Sequence, residues 1–106
     1  NQSPDIGILG MGDDGHFASL FPAMLDIDEA FNLEAAPKVI STAPMGSPKV
    51  SRLTMNLSMI IGIQTRILLI VGERKKSILQ KALASNDLPI ARLLAHDGTR
   101  IVYGSN

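Results

Sequence analysis

Short aliphatic runs alternate along this chain with segments whose apolar residues recur at helical spacing, the pattern of an α/β domain. Residues 5–9, apolar after Asp5 and bounded by Pro4 and Gly10, predict a buried strand. Residues 18–25 have room for a helical turn or two, interrupted by Pro22. The acidic residues 26–29 then form a solvated connection anchored by Phe31 and Leu33. Residues 38–42 alternate and hold β-branched side chains, predicting a strand, and residues 43–49, with two prolines and a glycine, predict a loop. Residues 50–56 are expected to be extended, and 57–61 to form a short apolar helix stopped by Gly62.

The clearest strand is 66–71, a near-continuous aliphatic run of the kind found in sheets covered on both faces. Gly72 ends it. Residues 75–85 place Ile78, Leu79, Ala82 and Leu83 on one helical face. Asn86-Asp87 marks a stop, and Pro89 opens a helix through Leu94. After the Asp97-Gly98 turn signal, residues 99–103 close as a last strand. Strands and helices in this order predict a mostly parallel sheet with flanking helices.

A length of 106 residues fits one domain, and 45% hydrophobic with 19% charged residues reads as globular. Ten basic and ten acidic residues cancel. No bulk field draws the chain to nucleic acid or a membrane surface, so a bound anion needs a local site. The absence of cysteine excludes disulfides and thiolate metal sites and suits a reducing compartment. The longest apolar stretch, 67–71, is too short to cross a bilayer, and the first residues carry no basic-then-apolar leader. A soluble cytoplasmic protein is expected, without nucleic-acid or membrane partners. The chain also enters a core strand within a few residues of Asn1, so a piece of a longer polypeptide is expected.

Three segments carry candidate chemistry. The first strand stops at a loop with Gly10, Gly12 and Gly15, two carboxylates (Asp13 and Asp14) and His16. Parallel α/β folds place their chemistry at such strand ends. The glycines let backbone approach a ligand, His16 can take a proton from water, and Asp14 can orient or polarise the imidazole. A tight turn with a surface histidine and solvated acids has the same composition. A metal site needs more ligands than this loop supplies, and His96, in a polar turn, reads as solvated, so no metal is expected. In Gly72-Glu73-Arg74-Lys75-Lys76, a glycine and then lysine at a helix start can form an anion site or merely a solvated basic turn. Arg52 follows a proline-containing loop, where a guanidinium can hold a phosphate or pair with an acid of its own chain. These residues alone do not choose.

Together the segments resemble the 6-phosphogluconolactonase family. Its signature is similar to Leu9-Gly10-Met11-Gly12-Asp13-Asp14-Gly15-His16-Phe17-Ala18-Ser19-Leu20-Phe21-Pro22. Pro48 with Arg52-Leu53-Thr54, then Val71-Gly72-Glu73-Arg74-Lys75, then Leu88-Pro89-Ile90-Ala91, follow in the family's order. The related glucosamine-6-phosphate deaminase branch shares the Gly-x-Asp-Gly-His core but continues in a form resembling His-Ile-Ala-Phe-Asn-Glu-Pro. Position 17 departs from the family, where a small hydroxyl residue is commoner than phenylalanine. The ending Tyr103-Gly104-Ser105-Asn106 lacks the aspartate- or tryptophan-containing stretch of many members.

The resemblance implies hydrolysis of 6-phospho-D-glucono-1,5-lactone to 6-phosphogluconate in the pentose phosphate pathway, with no cofactor. Sugar-phosphate isomerisation or deamination, and non-catalytic binding of sugar phosphates, are the alternatives. It implies that His16 is the general base, that Asp14 orients it, and that Arg52 and Lys75 face the substrate phosphate beside Gly10, Gly12 and Gly15. Amides of the 10–15 loop are expected to serve the oxyanion. The family's fold is a Rossmann-like α/β/α sandwich, and its members are roughly double this length. The chain is therefore expected to be the C-terminal portion of a larger three-layer domain, without the N-terminal phosphate loop. Self-association through the faces so exposed is a further expectation.

Overall fold

The computed structural model describes residues 5–85 and 88–105. Among these residues, five strands and four α-helices follow in chain order. They are β1 (Ile6–Gly10), α1 (Asp28–Phe31), β2 (Val39–Ser41), β3 (Leu53–Met55), α2 (Leu57–Ile61), β4 (Thr65–Val71), α3 (Glu73–Ser85), α4 (Pro89–Leu94) and β5 (Thr99–Gly104). The strands β1, β4 and β5 form a parallel sheet in the order β1-β4-β5, with Ile8 opposite Ile67 and Leu69 opposite Val102. Outside it, β2 and β3 pair antiparallel, Ile40 opposite Thr54. The expected α/β class with a parallel sheet and flanking helices is the one observed.

The side chains of β4 alternate across the sheet. Arg66, Leu68 and Ile70 are buried, while Leu69 and Val71 point the other way and are exposed. Leu9 of β1 joins the buried face, against which Leu79 and Ala82 of α3 and Ile90 and Leu93 of α4 complete one core. The opposite face carries Ile6, Ile8, Leu69, Val71 and Val102, all exposed. The expectation of a sheet covered on both faces is corrected here. A run of aliphatic residues states that both faces are apolar, and only packing decides whether both are covered; among the described residues no layer covers the second face.

Local differences have similar causes. The helical turns expected in 18–25 reduce to a 3-10 turn at Pro22–Met24, because proline fixes the first position but ends the preceding segment. The acidic connection folds as the single helical turn α1, with Asp28 and Glu29 at its positive end. Phe31 is buried as its anchor, but Leu33 is exposed and anchors nothing. On α3, Leu83 projects to solvent rather than joining Leu79 and Ala82. The helix α2 has the bounds read from the sequence and ends at Gly62. The stop read at Asn86-Asp87 lies outside the described residues.

Two buried polar side chains hold these pieces together. Asn56 caps α2 by accepting the Met59 amide at 3.0 Å, accepts from Lys38 N–H at 3.2 Å, and donates to the carbonyls of Glu29 and Ala36. Arg66, 2% exposed, donates through Nη1 to the carbonyls of Ile61 and Ile63, both at 2.9 Å. Its Nε donates to Thr99 Oγ1 at 2.9 Å and its Nη2 to the Asp97 carbonyl at 2.5 Å. Burial lowers the Arg66 pKa, yet a guanidinium keeps its charge in a protein. One side chain thus ties the end of α2, the turn before β5 and the centre of the sheet.

Candidate active site

The loop after β1 lies at the carboxyl end of the parallel sheet, and its own bonds give it one shape. The Gly12 amide donates to the His16 carbonyl at 2.8 Å, and the Gly15 amide to the Gly12 carbonyl at 2.9 Å. Phe17 and Leu20, both fully buried, pin the far side of the loop into the core. The unusual phenylalanine at position 17 therefore serves packing. Ala18 follows with φ +51°, a left-handed conformation that costs a residue with a Cβ on the order of 1 kcal/mol. Gly15 has φ +81°, and a Cβ there would lie 2.7 Å from that of Leu88, so the loop sits directly on the start of α4. The Gly15 carbonyl accepts the Ile90 amide at 3.0 Å.

Within this frame Asp14 and His16 form a pair. Asp14 Oδ1 lies 2.5 Å from His16 Nδ1 and also accepts the His16 amide at 3.1 Å. Burial pushes the Asp14 carboxyl up, and hydrogen bonds from the His16 ring and amide outweigh it, leaving the pKa below its ordinary value. A carboxylate on Nδ1 selects the tautomer whose Nε2 carries the free lone pair. A Cβ on Gly12 would lie 2.0 Å from His16 Cε1, so the glycine is required for the ring to lie against the backbone.

Cations approach from two sides. Gly72, with φ +92°, turns β4 directly into α3, and this carries Lys75 back over the loop. Lys75 Nζ donates to the Met11 carbonyl and lies 4.0 Å from Asp13 Oδ1, while Arg74 Nε is 3.3 Å from Asp13 Oδ2. Arg52 arrives from the strand side. Its Nη1 donates to the carbonyls of Met45 and Val50, and its Nη2 to the Pro48 carbonyl at 2.6 Å. An open groove of about 260 Å³ runs beside the loop, lined by Ile8, Gly10, Met11, Leu69, Val71 and Lys75.

A family model described as glucosamine-6-phosphate isomerases/6-phosphogluconolactonase matches residues 1–102. The chain belongs to this family. Its relatives include a 6-phosphogluconolactonase of Helicobacter pylori, 37% identical over 99% of this chain and 46% of its own length. Another, from Pseudomonas putida, is 39% identical over 93% of this chain and 41% of its own. The crystal structure of the Thermotoga maritima 6-phosphogluconolactonase superposes with a TM-score of 0.77 at 29% identity, covering 100% of this chain and 45% of that one. The chain thus spans about half the length of the relatives it matches.

Set in this family, the residues singled out in the sequence fall into groups. Asp14, His16, Gly12 and Gly15 share one loop, and Lys75 reaches it from α3. Gly10 faces the groove with nothing within 4 Å of where a Cβ would be, so its small size leaves room that no protein atom fills. Arg52 comes near this group through the ring of Phe21 rather than by direct contact, with its guanidinium turned to loop carbonyls. The expectation that loop amides serve an oxyanion is corrected for two of them, since the Gly12 and Gly15 amides already close the loop. His96 is half-buried in its turn with its amide on the Leu93 carbonyl. The pairing of Asp13 with Arg74 and Lys75 of α3 was not legible in the sequence, because a carboxylate beside a more suggestive one carries no separate signal.

Proposed function

We propose that this chain carries the catalytic loop of a cytoplasmic 6-phosphogluconolactonase, hydrolysing 6-phospho-D-glucono-1,5-lactone to 6-phosphogluconate in the pentose phosphate pathway. The observation that carries the reading is the Asp14–His16 pair, 2.5 Å apart, in a family loop beside Lys75. Asp14 holds Nδ1, and Nε2 accepts a proton from water as that water attacks the lactone carbonyl carbon. The tetrahedral oxyanion then collapses and the bond from the carbonyl carbon to the ring oxygen breaks. The imidazolium returns its proton to that oxygen, giving the open-chain acid, which ionises. A general base placed in this way contributes about 10²–10⁴ in rate.

Lys75 is the group best sited for the substrate phosphate, whose charge is about −1.5 to −2 near neutral pH. Binding requires it to exchange the Met11 carbonyl and the Asp13 carboxylate for phosphate oxygens. Arg52 is assigned to the same phosphate from the other side of the loop, its three carbonyl contacts fixing residues 45–52.

The relatives' greater length supports a division of labour in which further phosphate contacts lie outside these 106 residues. The isolated chain is then expected to turn over little or no lactone and to self-associate through its uncovered sheet face. In the full-length protein, His16→Ala should lower kcat by about 10²–10⁴ while binding of a phosphate ester persists. Unchanged turnover would remove His16 as the base. Ammonia release from glucosamine 6-phosphate without lactone turnover would replace the reaction itself.

A further inference from the structure

Phe21 is the buried ring on which the candidate base rests, and neither the loop chemistry nor the phosphate reading gives it a part. Its side chain is 6% exposed, and its backbone opens the 3-10 turn at Pro22–Met24. The His16 imidazole lies against it with centroids 4.5 Å apart and planes inclined by 35°. The Arg52 guanidinium carbon lies 5.6 Å from the same ring centroid. From the 43–49 loop, Gly46 closes on both partners, since a Cβ there would be 3.0 Å from Phe21 Cζ and 2.8 Å from Arg52 Nη1.

The imidazole therefore has three fixed neighbours: a carboxylate on Nδ1, the Gly12 backbone at Cε1, and the Phe21 ring beside it. Asp14 alone leaves the imidazole free to swing about the line of its hydrogen bond, and Asp14 is itself half exposed. An aromatic ring at this distance restricts that swing, and the negative face of its π system favours the imidazolium formed when the base takes a proton.

We infer that Phe21 is a positioning residue for His16, and that it couples the imidazole to the loop built around Arg52. This rests on the reading of His16 as the base. A ring that only filled the core would set stability, and a ring that shaped the phosphate end would set KM. A ring that aims the base sets kcat.

The test is steady-state kinetics on the full-length protein with Phe21→Leu, beside His16→Ala as reference. The expected result is a fall in kcat of at least about ten-fold, equivalent to about 1.4 kcal/mol in the barrier. KM should stay within about two-fold and the Phe21→Leu protein should stay folded by circular dichroism. Combined with Asp14→Asn, the loss should be smaller than the product of the two single losses, because both act through one imidazole. A folded Phe21→Leu with wild-type kcat, or one altered in KM alone, overturns the inference. Should leucine prevent folding, Phe21→Met is read by the same criteria, and loss of folding in both assigns the ring to the core and overturns it. Wild-type turnover by His16→Ala would instead sink the reading of the base, whatever Phe21 does.

Discussion

At the scale of single residues, Asp14 and Arg66 show how differently two polar side chains use their partners. Asp14 is about half exposed and its depressed pKa comes from His16. A group whose folded pKa lies below its unfolded value, about 3.9, contributes its stability fully above that value. The contribution is lost as pH falls through the folded pKa. The stability gap between wild type and Asp14→Asn should therefore be present near pH 6 and shrink as pH falls past the unfolded value and through the lower folded pKa. Thermal melts across that range check it, and a gap unchanged at low pH would refute the pairing as its source. Arg66 is buried with four hydrogen bonds and no ion-pair partner among the described residues. Replacing it by methionine strands three carbonyls and a hydroxyl, each worth about 1–3 kcal/mol if left dry. Chemical denaturation should show a loss of roughly 3 kcal/mol or more, whereas a near-neutral change would mean that water replaces the guanidinium. The sequence made Asp14 and His16 visible because their spacing within one loop is local. Arg66 was hidden at the head of an aliphatic run, since three carbonyl partners from two other segments leave no mark on sequence.

At the scale of elements, β4 and α2 mark the limits of pattern reading. The end of α2 was legible because its stop signal, Gly62, is local, whereas the cap that Asn56 supplies at its start appears only in the structure. The further work of Asn56 in bridging α1 and residues 36–38 was not legible, because it joins positions far apart in the chain. Asn56→Ala should cost roughly 2–4 kcal/mol, combining a lost cap with buried backbone groups left unpaired. A cost below 1 kcal/mol would leave it as a cap and nothing more. In β4 the apolar run concealed two unlike faces. Leu68 is fully buried while its neighbour Leu69 is 45% exposed. Leu68→Ala should lose about 2–5 kcal/mol, and Leu69→Ala in the isolated chain less than about 1 kcal/mol. Equal losses would mean that the outer face is covered in solution as well.

For the whole molecule, that outer face decides how the isolated chain behaves. Parallel sheets are ordinarily covered on both sides, because their crossover connections place helices there. Here one side carries the core, and the other presents Ile6, Ile8, Leu69, Val71 and Val102, with Ile8 72% exposed. The sheet is also open at both edges among the described residues, since β1 and β5 each have β4 as their one neighbour. Contiguous apolar surface with unpaired edges favours association whenever a second copy is the nearest apolar partner. Sedimentation velocity of the isolated chain should show mass increasing with concentration. Because Ile8 and Leu69 lie on adjacent strands of the same face, Ile8→Lys with Leu69→Lys should shift the population toward monomer while the circular dichroism spectrum is kept. A wild-type chain that stays monomeric across the concentration range would mean that the face is satisfied within the chain itself. The loop after β1 borders this face through Gly10 and Met11, so association there should also shield the groove and slow exchange of the Gly10 and Met11 amides. Exchange unaffected by concentration would place the contact elsewhere on the sheet.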